Sequence, residues 1–280
     1  MHDLCAEKKL VNSGWWIVDK TNSLPFVKAT ACGNDFLIIQ GAEFSGNFHA
    51  LTRAICDRRN GVGADGVEWV LAASGADLRI RLVNADGSDA EISGNGTRCV
   101  AAWYCADRPV QTVRIETDAG VKTCDLTSRQ GNTFEFRSAM GEPKVDGELA
   151  VGLSYDEVKG VPVSMGNPHF VMFVPDFAQN WREVASEIAT HRDFPNGTNV
   201  ELVKVAGEND IEIRIWERGV GETRSSGTGS SAAAVASIHT ERARSPVRVH
   251  APGGVQMVEW EHEVLLYGPA TLLCRGEFFG

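Results

Sequence analysis

The amino-acid sequence predicts an α+β protein made of two similar halves that face each other across a cleft. Three observations carry this reading: strand-like alternation of apolar and charged residues, glycine loops between strand and helix, and recurrence of both at one fixed spacing. Leu78-Arg-Ile-Arg-Leu-Val-Asn84 resembles Ile211-Glu-Ile-Arg-Ile-Trp-Glu217, and each alternates as a half-buried strand does. They lie 133 residues apart. The same spacing carries Ser93-Gly94-Asn95-Gly96-Thr97 onto Ser226-Gly227-Thr228-Gly229-Ser230, each followed by an alanine-rich, helix-like run. It also lays Gly33-Asn34 over Gly166-Asn167, each before an apolar strand, and Asp65-Gly66-Val67 over Thr198-Asn199-Val200. Four features in one register point to an internal duplication. Many short strands around few helices make the class α+β rather than a doubly wound sheet.

The bulk properties fit this plan. A chain of 280 residues accommodates two modest domains, and 43% hydrophobic with 23% charged residues is an ordinary globular balance. A net charge of −10 argues against nucleic acid as a partner, because phosphate binding needs a basic face. No apolar run approaches the roughly 18 residues of a spanning helix, so no membrane association is expected. The seven cysteines contain no C-x-x-C pair and no zinc spacing. They read as small buried hydrophobes in a reducing cytoplasm, and no metal site is expected. Residues 1–23 hold only Trp15-Trp16-Ile17-Val18 as an apolar cluster, too short for a signal-peptide core. They are set aside as an N-terminal extension, disordered or a misassigned start. The halves then run over 24–140 and 141–270, the second opening on the turn-rich linker Gly141–Gly147.

Each glycine loop lets the backbone turn sharply into a helix whose first-turn N–H groups can receive an anion such as a carboxylate. One Gly-x-Gly loop alone is often only a helix cap. Neither copy is a phosphate-binding P-loop, since the Gly-Lys-Ser/Thr ending is missing, and neither matches the dinucleotide fingerprint. A pair of such loops facing one cleft is more specific. It could hold one carboxylate and present Ser93 and Ser226 to opposite faces of an α-carbon, as two-base racemisation requires.

At these residues the sequence resembles the diaminopimelate epimerase family. The resemblance runs from Phe26 almost to the C-terminus. In the first half it rests on Gly33-Asn-Asp-Phe36, Asp57-Arg-Arg-Asn-Gly-Val-Gly-Ala-Asp65, Asn84-Ala-Asp-Gly-Ser88 and Gly94-Asn-Gly-Thr-Arg-Cys99. In the second it rests on Met165-Gly-Asn-Pro-His169, Phe194-Pro195, Thr198-Asn-Val200, Glu217-Arg-Gly-Val-Gly-Glu-Thr223, Gly227-Thr-Gly229 and Pro252-Gly-Gly254. The resemblance implies two pseudo-symmetric halves, each a barrel-like, mostly antiparallel sheet around a central helix. A last strand, within residues 271–280, would return to the N-terminal half. It implies cofactor-independent interconversion of L,L- and meso-diaminopimelate for lysine and peptidoglycan synthesis, a small amino-acid substrate and a homodimer.

Carried over by position, Asn34, Asn84, Asn167 and Asn199 would hydrogen-bond the substrate. Glu217 and Arg218 would contact its distal end, an Arg–carboxylate pair being geometrically selective. Gly94, Asn95, Gly227 and Thr228 would offer donors to the carboxylate at the reacting carbon. Gly66 stands where some relatives have Gln. Ser93 and Ser226 would be the reacting pair, tuned by His169 and Glu217.

The family pattern has Cys at both serine positions. A thiol ionises near 8.5 and lower at a helix N-terminus, whereas a serine hydroxyl has no comparable anion. Three explanations stand side by side. The serines act with help from His169 and Glu217, they freeze an otherwise normal enzyme, or the chain handles another amino acid, as a racemase, hydroxyproline epimerase, dehydratase or non-catalytic binding protein.

Overall fold

The computed structural model describes residues 23–42 and 44–279. The expected N-terminal extension, Ser23 apart, lies outside the described residues. Eighteen strands and four helices make up the described chain. The helices are α1 (Phe48–Cys56), α2 (Gly94–Ala106), α3 (Trp181–Ala189) and α4 (Gly227–His239).

Each half wraps a sheet around one central helix. In the first, Ser23–Ala31 pairs antiparallel with Asn34–Gln40, which lies parallel to Gly66–Leu71. The sheet continues through Leu78–Asn84, Thr112–Thr117, Gly120–Gln130 and Thr133–Gly141. The long strand Val264–Phe279 then pairs with both Thr133–Gly141 and Ser23–Ala31, closing the ring around α2. The second half repeats the order around α4. Pro168–Phe173 runs parallel to Asn199–Gly207, Asp210–Glu217 follows antiparallel, and Val247–Ala251 follows parallel. Gly254–Trp260 leads into the same long strand. Most pairings are antiparallel, as expected of an α+β class. Within the stretch read as a linker, Lys144–Val145 forms a short strand against Glu157–Ser164.

The helices show why these residues adopt these elements. α1 and α3 begin 133 residues apart, as do α2 and α4, and the paired helices are equal in length. In α4 apolar residues occur on every side, and Ala232 to Ala236 are all fully buried. A helix surrounded by sheet has no solvent face, so its pattern loses amphipathic period. Alanine keeps it thin enough for Ile211, Ile213, Val247 and Val258 to close over it. Its buried hydroxyls are satisfied locally: Ser231 donates to the Gly227 carbonyl (2.9 Å), Ser237 to the Ala233 carbonyl (2.7 Å), and Ser230 to Gln256 Oε1 (2.8 Å).

The strands alternate between inner and outer cores. Phe36 and Ile38 face α2 with Phe134 and Phe136, while Leu37 and Ile39 face α1 with Val67 and Trp69. α3 covers the outer face of the second half over Phe170, Met172 and Leu202. Each barrel is therefore packed on both faces of its parallel strand pair, which fixes the strand ends that carry the site.

Candidate active site

The two central helices meet end to end. A Cβ added to Gly94 would sit 4.0 Å from the Gly227 Cα, and one added to Gly227 would sit 4.0 Å from the Gly94 Cα. A methyl at either position would therefore only touch the facing helix start, and the tighter neighbour of one on Gly227 is Leu266 Cδ2 at 3.3 Å. Ser93 and Ser226 are the N-caps, both in extended backbone. The Gly96 N–H donates to Ser93 Oγ (3.1 Å) and the Gly229 N–H to Ser226 Oγ (3.2 Å). The serines thus carry two duties: each satisfies a first-turn amide and each stands at the mouth where two helix dipoles converge.

The predicted residues fall into two clusters around this junction. On the N-terminal side, the Asn95 amide donates to Asn34 Oδ1 and to Ser225 Oγ, both at 2.7 Å. Asn34 in turn donates to Asp65 Oδ2 (3.2 Å), so its carbonyl oxygen is fixed in direction. Arg98, fully buried, donates to Asn95 Oδ1 and to the Gly94 carbonyl, bracing the loop from behind. Asn84 ends its strand beside Gly66 and donates to Ser88 Oγ (3.0 Å).

On the C-terminal side, His169 bridges Asn167 and a carboxylate. Its Nδ1 lies 2.8 Å from Glu201 Oε1 and its Nε2 lies 3.1 Å from Asn167 Oδ1. The Asn167 amide donates to Thr228 Oγ1 (3.4 Å), which lies 3.4 Å from Ser226 Oγ. Asn199 donates to the Pro168 carbonyl and accepts the Arg218 N–H, both at 2.9 Å. The Arg218 guanidinium donates to the Asn196 carbonyl (2.8 Å). Glu217 joins the same cluster: burial raises its carboxyl above the usual range, as does the nearby Glu201 charge, while the neighbouring Thr223 side chain and His169 oppose the rise. His169 and Glu217, which the resemblance implies tune the two serines, both sit in the C-terminal half.

Two buried glutamates escaped the sequence reading. Glu201 is fully buried and its carboxyl is pushed up by burial, opposed by His169. Glu68 is also fully buried, with its carboxyl pushed up to about 8 by burial. The signal was present: Glu68 and Glu201 are themselves 133 residues apart, each a lone charge inside an apolar run (Val67-Glu-Trp69, Val200-Glu-Leu202). Cys32 and Cys99, the thiols nearest the loops in sequence, are buried, and burial pushes both thiols up. Neither can serve as an accessible thiolate. Among the described residues no group of His, Cys, Asp and Glu is placed to hold a metal ion, and no helix is long and apolar enough to cross a membrane.

The duplicated, helix-centred barrel with opposed helix N-termini is a fold this chain shares with solved structures of several names. The chain is similar to the solved structure of a probable proline racemase from Agrobacterium radiobacter K84, with a TM-score of 0.69 and 16% identity over 90% of this chain and 92% of that one. A hydroxyproline epimerase from Agrobacterium vitis is similar with a TM-score of 0.66 and 17% identity, over 92% of each chain. At such identities the likeness is one of fold. Sequence narrows it further. The family profile for diaminopimelate epimerase matches residues 26–145 and 161–273. The diaminopimelate epimerase of Desulfitobacterium hafniense is 36% identical over 90% of this chain and 97% of its own length. That of Pelotomaculum thermopropionicum is 38% identical over 90% and 98%. The chain belongs to the diaminopimelate epimerase family.

Proposed function

We propose that the chain epimerises diaminopimelate between its L,L and meso forms by moving a proton from one face of the α-carbon to the other. The observation that carries this reading is the junction of Gly94 and Gly227, which sets Ser93 and Ser226 at two opposed helix starts. The α-carboxylate would bind the first-turn amides beside Asn95 and Thr228, where the convergent dipoles favour the negative charge that grows as the α-proton leaves. Asn34, Asn84, Asn167 and Asn199 would orient the amino and carboxylate groups, and Glu217 with Arg218 would take the distal amino-acid end. Fixing the substrate this way supplies the proximity that a weak hydroxyl pair needs.

The serines set the chemical demand. A hydroxyl abstracts a proton only if its own proton has somewhere to go, as in activated Ser–His pairs. On the Ser226 side, Glu201 approaches the same glycine, Gly229, that Ser226 caps, and His169 holds that carboxyl at 2.8 Å. Purified full chain incubated with L,L-diaminopimelate in deuterated water is expected to yield meso product carrying α-deuterium, read by mass spectrometry and NMR. Folded protein that gives neither exchange nor product with this substrate overturns the reading. Exchange confined to proline or hydroxyproline would reassign the substrate.

The cytoplasmic location, the homodimer and the division into 24–140, 141–270 and a returning final strand belong to the same proposal, supported by family membership. Light scattering on the purified chain measures the oligomer directly.

A further inference from the structure

Arg218 is held at three points along its length. Its backbone N–H donates to Asn199 Oδ1 (2.9 Å). Its stem lies against Gly197, where an added Cβ would sit 2.9 Å from Arg218 Cδ and 3.2 Å from its Cγ. Its Nη1 donates to the Asn196 carbonyl (2.8 Å). Asn196 and Gly197 belong to one turn, closed by the Gly197 N–H on the Phe194 carbonyl (2.7 Å). That turn is itself fixed. The Phe194 ring packs on Phe170 with centroids 5.4 Å apart, and the Thr198 N–H donates to the Ala189 carbonyl at the end of α3 (3.0 Å). The hairpin that carries Arg218 is tied to the same helix, where Arg182 grips Glu222 through two hydrogen bonds (2.6 and 3.0 Å).

The other half shows what this arrangement replaces. The residues 133 before Gly197 and Arg218 are Ala64 and Ala85, both in the apolar cluster that packs on α1. The second half has no methyl at the first position and an arginine at the second. We infer that the Asn196–Gly197 turn is the length gauge of the site: it fixes the reach of Arg218 and thereby selects the number of carbons between the two ends of the substrate. The inference rests on the epimerase reading above and deepens it. Asn196 and Gly197 touch no substrate; they are positioning residues that act through Arg218.

The physics of a long side chain makes such a gauge necessary. Arginine samples many rotamers, and one free to swing would meet distal carboxylates at several distances. Pressed on the turn at Cγ and Cδ and bonded to it at the head, it meets a carboxylate at one distance from the helix starts, where the α-carbon reacts. Among the described residues the guanidinium makes that one hydrogen bond. Its Nε and Nη2 edge remains for a two-point contact with the distal carboxylate.

Substrates of three lengths test this: diaminopimelate, diaminoadipate (one methylene shorter) and diaminosuberate (one methylene longer), each followed by α-deuterium exchange in the full chain. The wild type is expected to prefer diaminopimelate over either homologue by at least tenfold in kcat/KM. In Gly197→Ala the methyl displaces the Arg218 stem. KM for diaminopimelate should rise at least fivefold with kcat within about twofold, and the preference over one homologue should fall at least fivefold. Arg218→Lys, which replaces the fork by a swinging point charge, should lose most of the length preference.

Gly197 has a φ of +69°, so a methyl there strains the turn as well as meeting Arg218. Urea denaturation separates the two effects. The midpoint lost in Gly197→Ala should be at least half restored when Arg218→Ala is added, because the collision is gone while the strain stays. Should Gly197→Ala alone fail to fold, the double variant is expected to fold. A loss not restored in the double variant, an equal fall in kcat/KM for all three lengths, or full length preference in Arg218→Lys overturns the gauge while leaving the epimerase reading intact. So does a wild type that turns over all three lengths alike. A folded wild type inert with all three overturns both.

Discussion

At the scale of single residues, the serines and the buried glutamates set the behaviour to be measured. Ser93→Cys with Ser226→Cys is expected to raise the epimerisation rate at least tenfold, because a thiolate is accessible near neutral pH where an alkoxide is not. The same change should lower stability by up to about 1 kcal/mol per site, since cysteine is a poorer N-cap for the Gly96 and Gly229 amides. Rate and chemical denaturation measured on one preparation check both halves of this prediction. Glu68 adds a pH effect. Its folded-state carboxyl is pushed up to about 8, whereas an unfolded glutamate ionises near ~4.3. Between those values the folded chain binds more protons than the unfolded one, so stability falls as pH rises through the window and is unaffected by this group below it. Glu68→Gln removes that slope. From pH 4 to pH 8 the variant should gain on wild type by about 4 kcal/mol in the free energy of chemical denaturation; parallel curves would contradict it. Asn34, Asn84, Asn167 and Asn199 could be nominated from the sequence because they stand in the motifs that carry the family resemblance. Glu68 and Glu201 were passed over because a charge inside an apolar strand reads as an exception until its twin is noticed.

At the scale of elements, the glycine loops are packing devices as well as ligand sites. A methyl on Gly96 would collide with the Glu68 carboxyl, and one on Gly229 with Glu201. Gly96→Ala is expected to cost about 1–3 kcal/mol as an overpacked site. Glu68→Ala should relieve most of that cost, which a double-mutant cycle in urea would register as a coupling energy. Additive losses would mean that the helix start, not the glutamate, resists the methyl. The strand–loop–helix order was legible from alternation and the Gly-x-Gly spacing. The complete burial of α2 and α4 was less so. Alanine-rich runs suit many helices, and only closure of a sheet around them explains why Ala232 to Ala236 have no exposed side. The parallel pairing of Asn34–Gln40 with Gly66–Leu71 was also hidden, since α1 crosses between strands whose local pattern is neutral about direction.

At the scale of the whole molecule, one strand serves both halves. Leu265 and Leu266 pair with Glu259 and Val258 in the second half, whereas Thr271 to Phe279 pair with Thr30 to Ser23 in the first. A chain truncated after Gly268 is therefore expected to lose the N-terminal barrel while its second half keeps more of its hydrogen-exchange protection. Uniform protection, or uniform loss, would show that the halves do not stabilise separately. The duplication was legible at full length because both copies keep one register. Barrel closure was not, because Val264–Phe279 carries no periodicity that names its partner; only the family resemblance pointed its end toward the N-terminal half.

That shared strand has a consequence for birth on the ribosome. Residues of the first barrel are translated well before Val264–Phe279, the strand that seals it. Until that strand emerges, Ser23–Ala31 and Thr133–Gly141 present open edges, the kind of surface that invites pairing with other chains. The nascent first half must wait, shielded or soluble in its own right, while the whole second half is made.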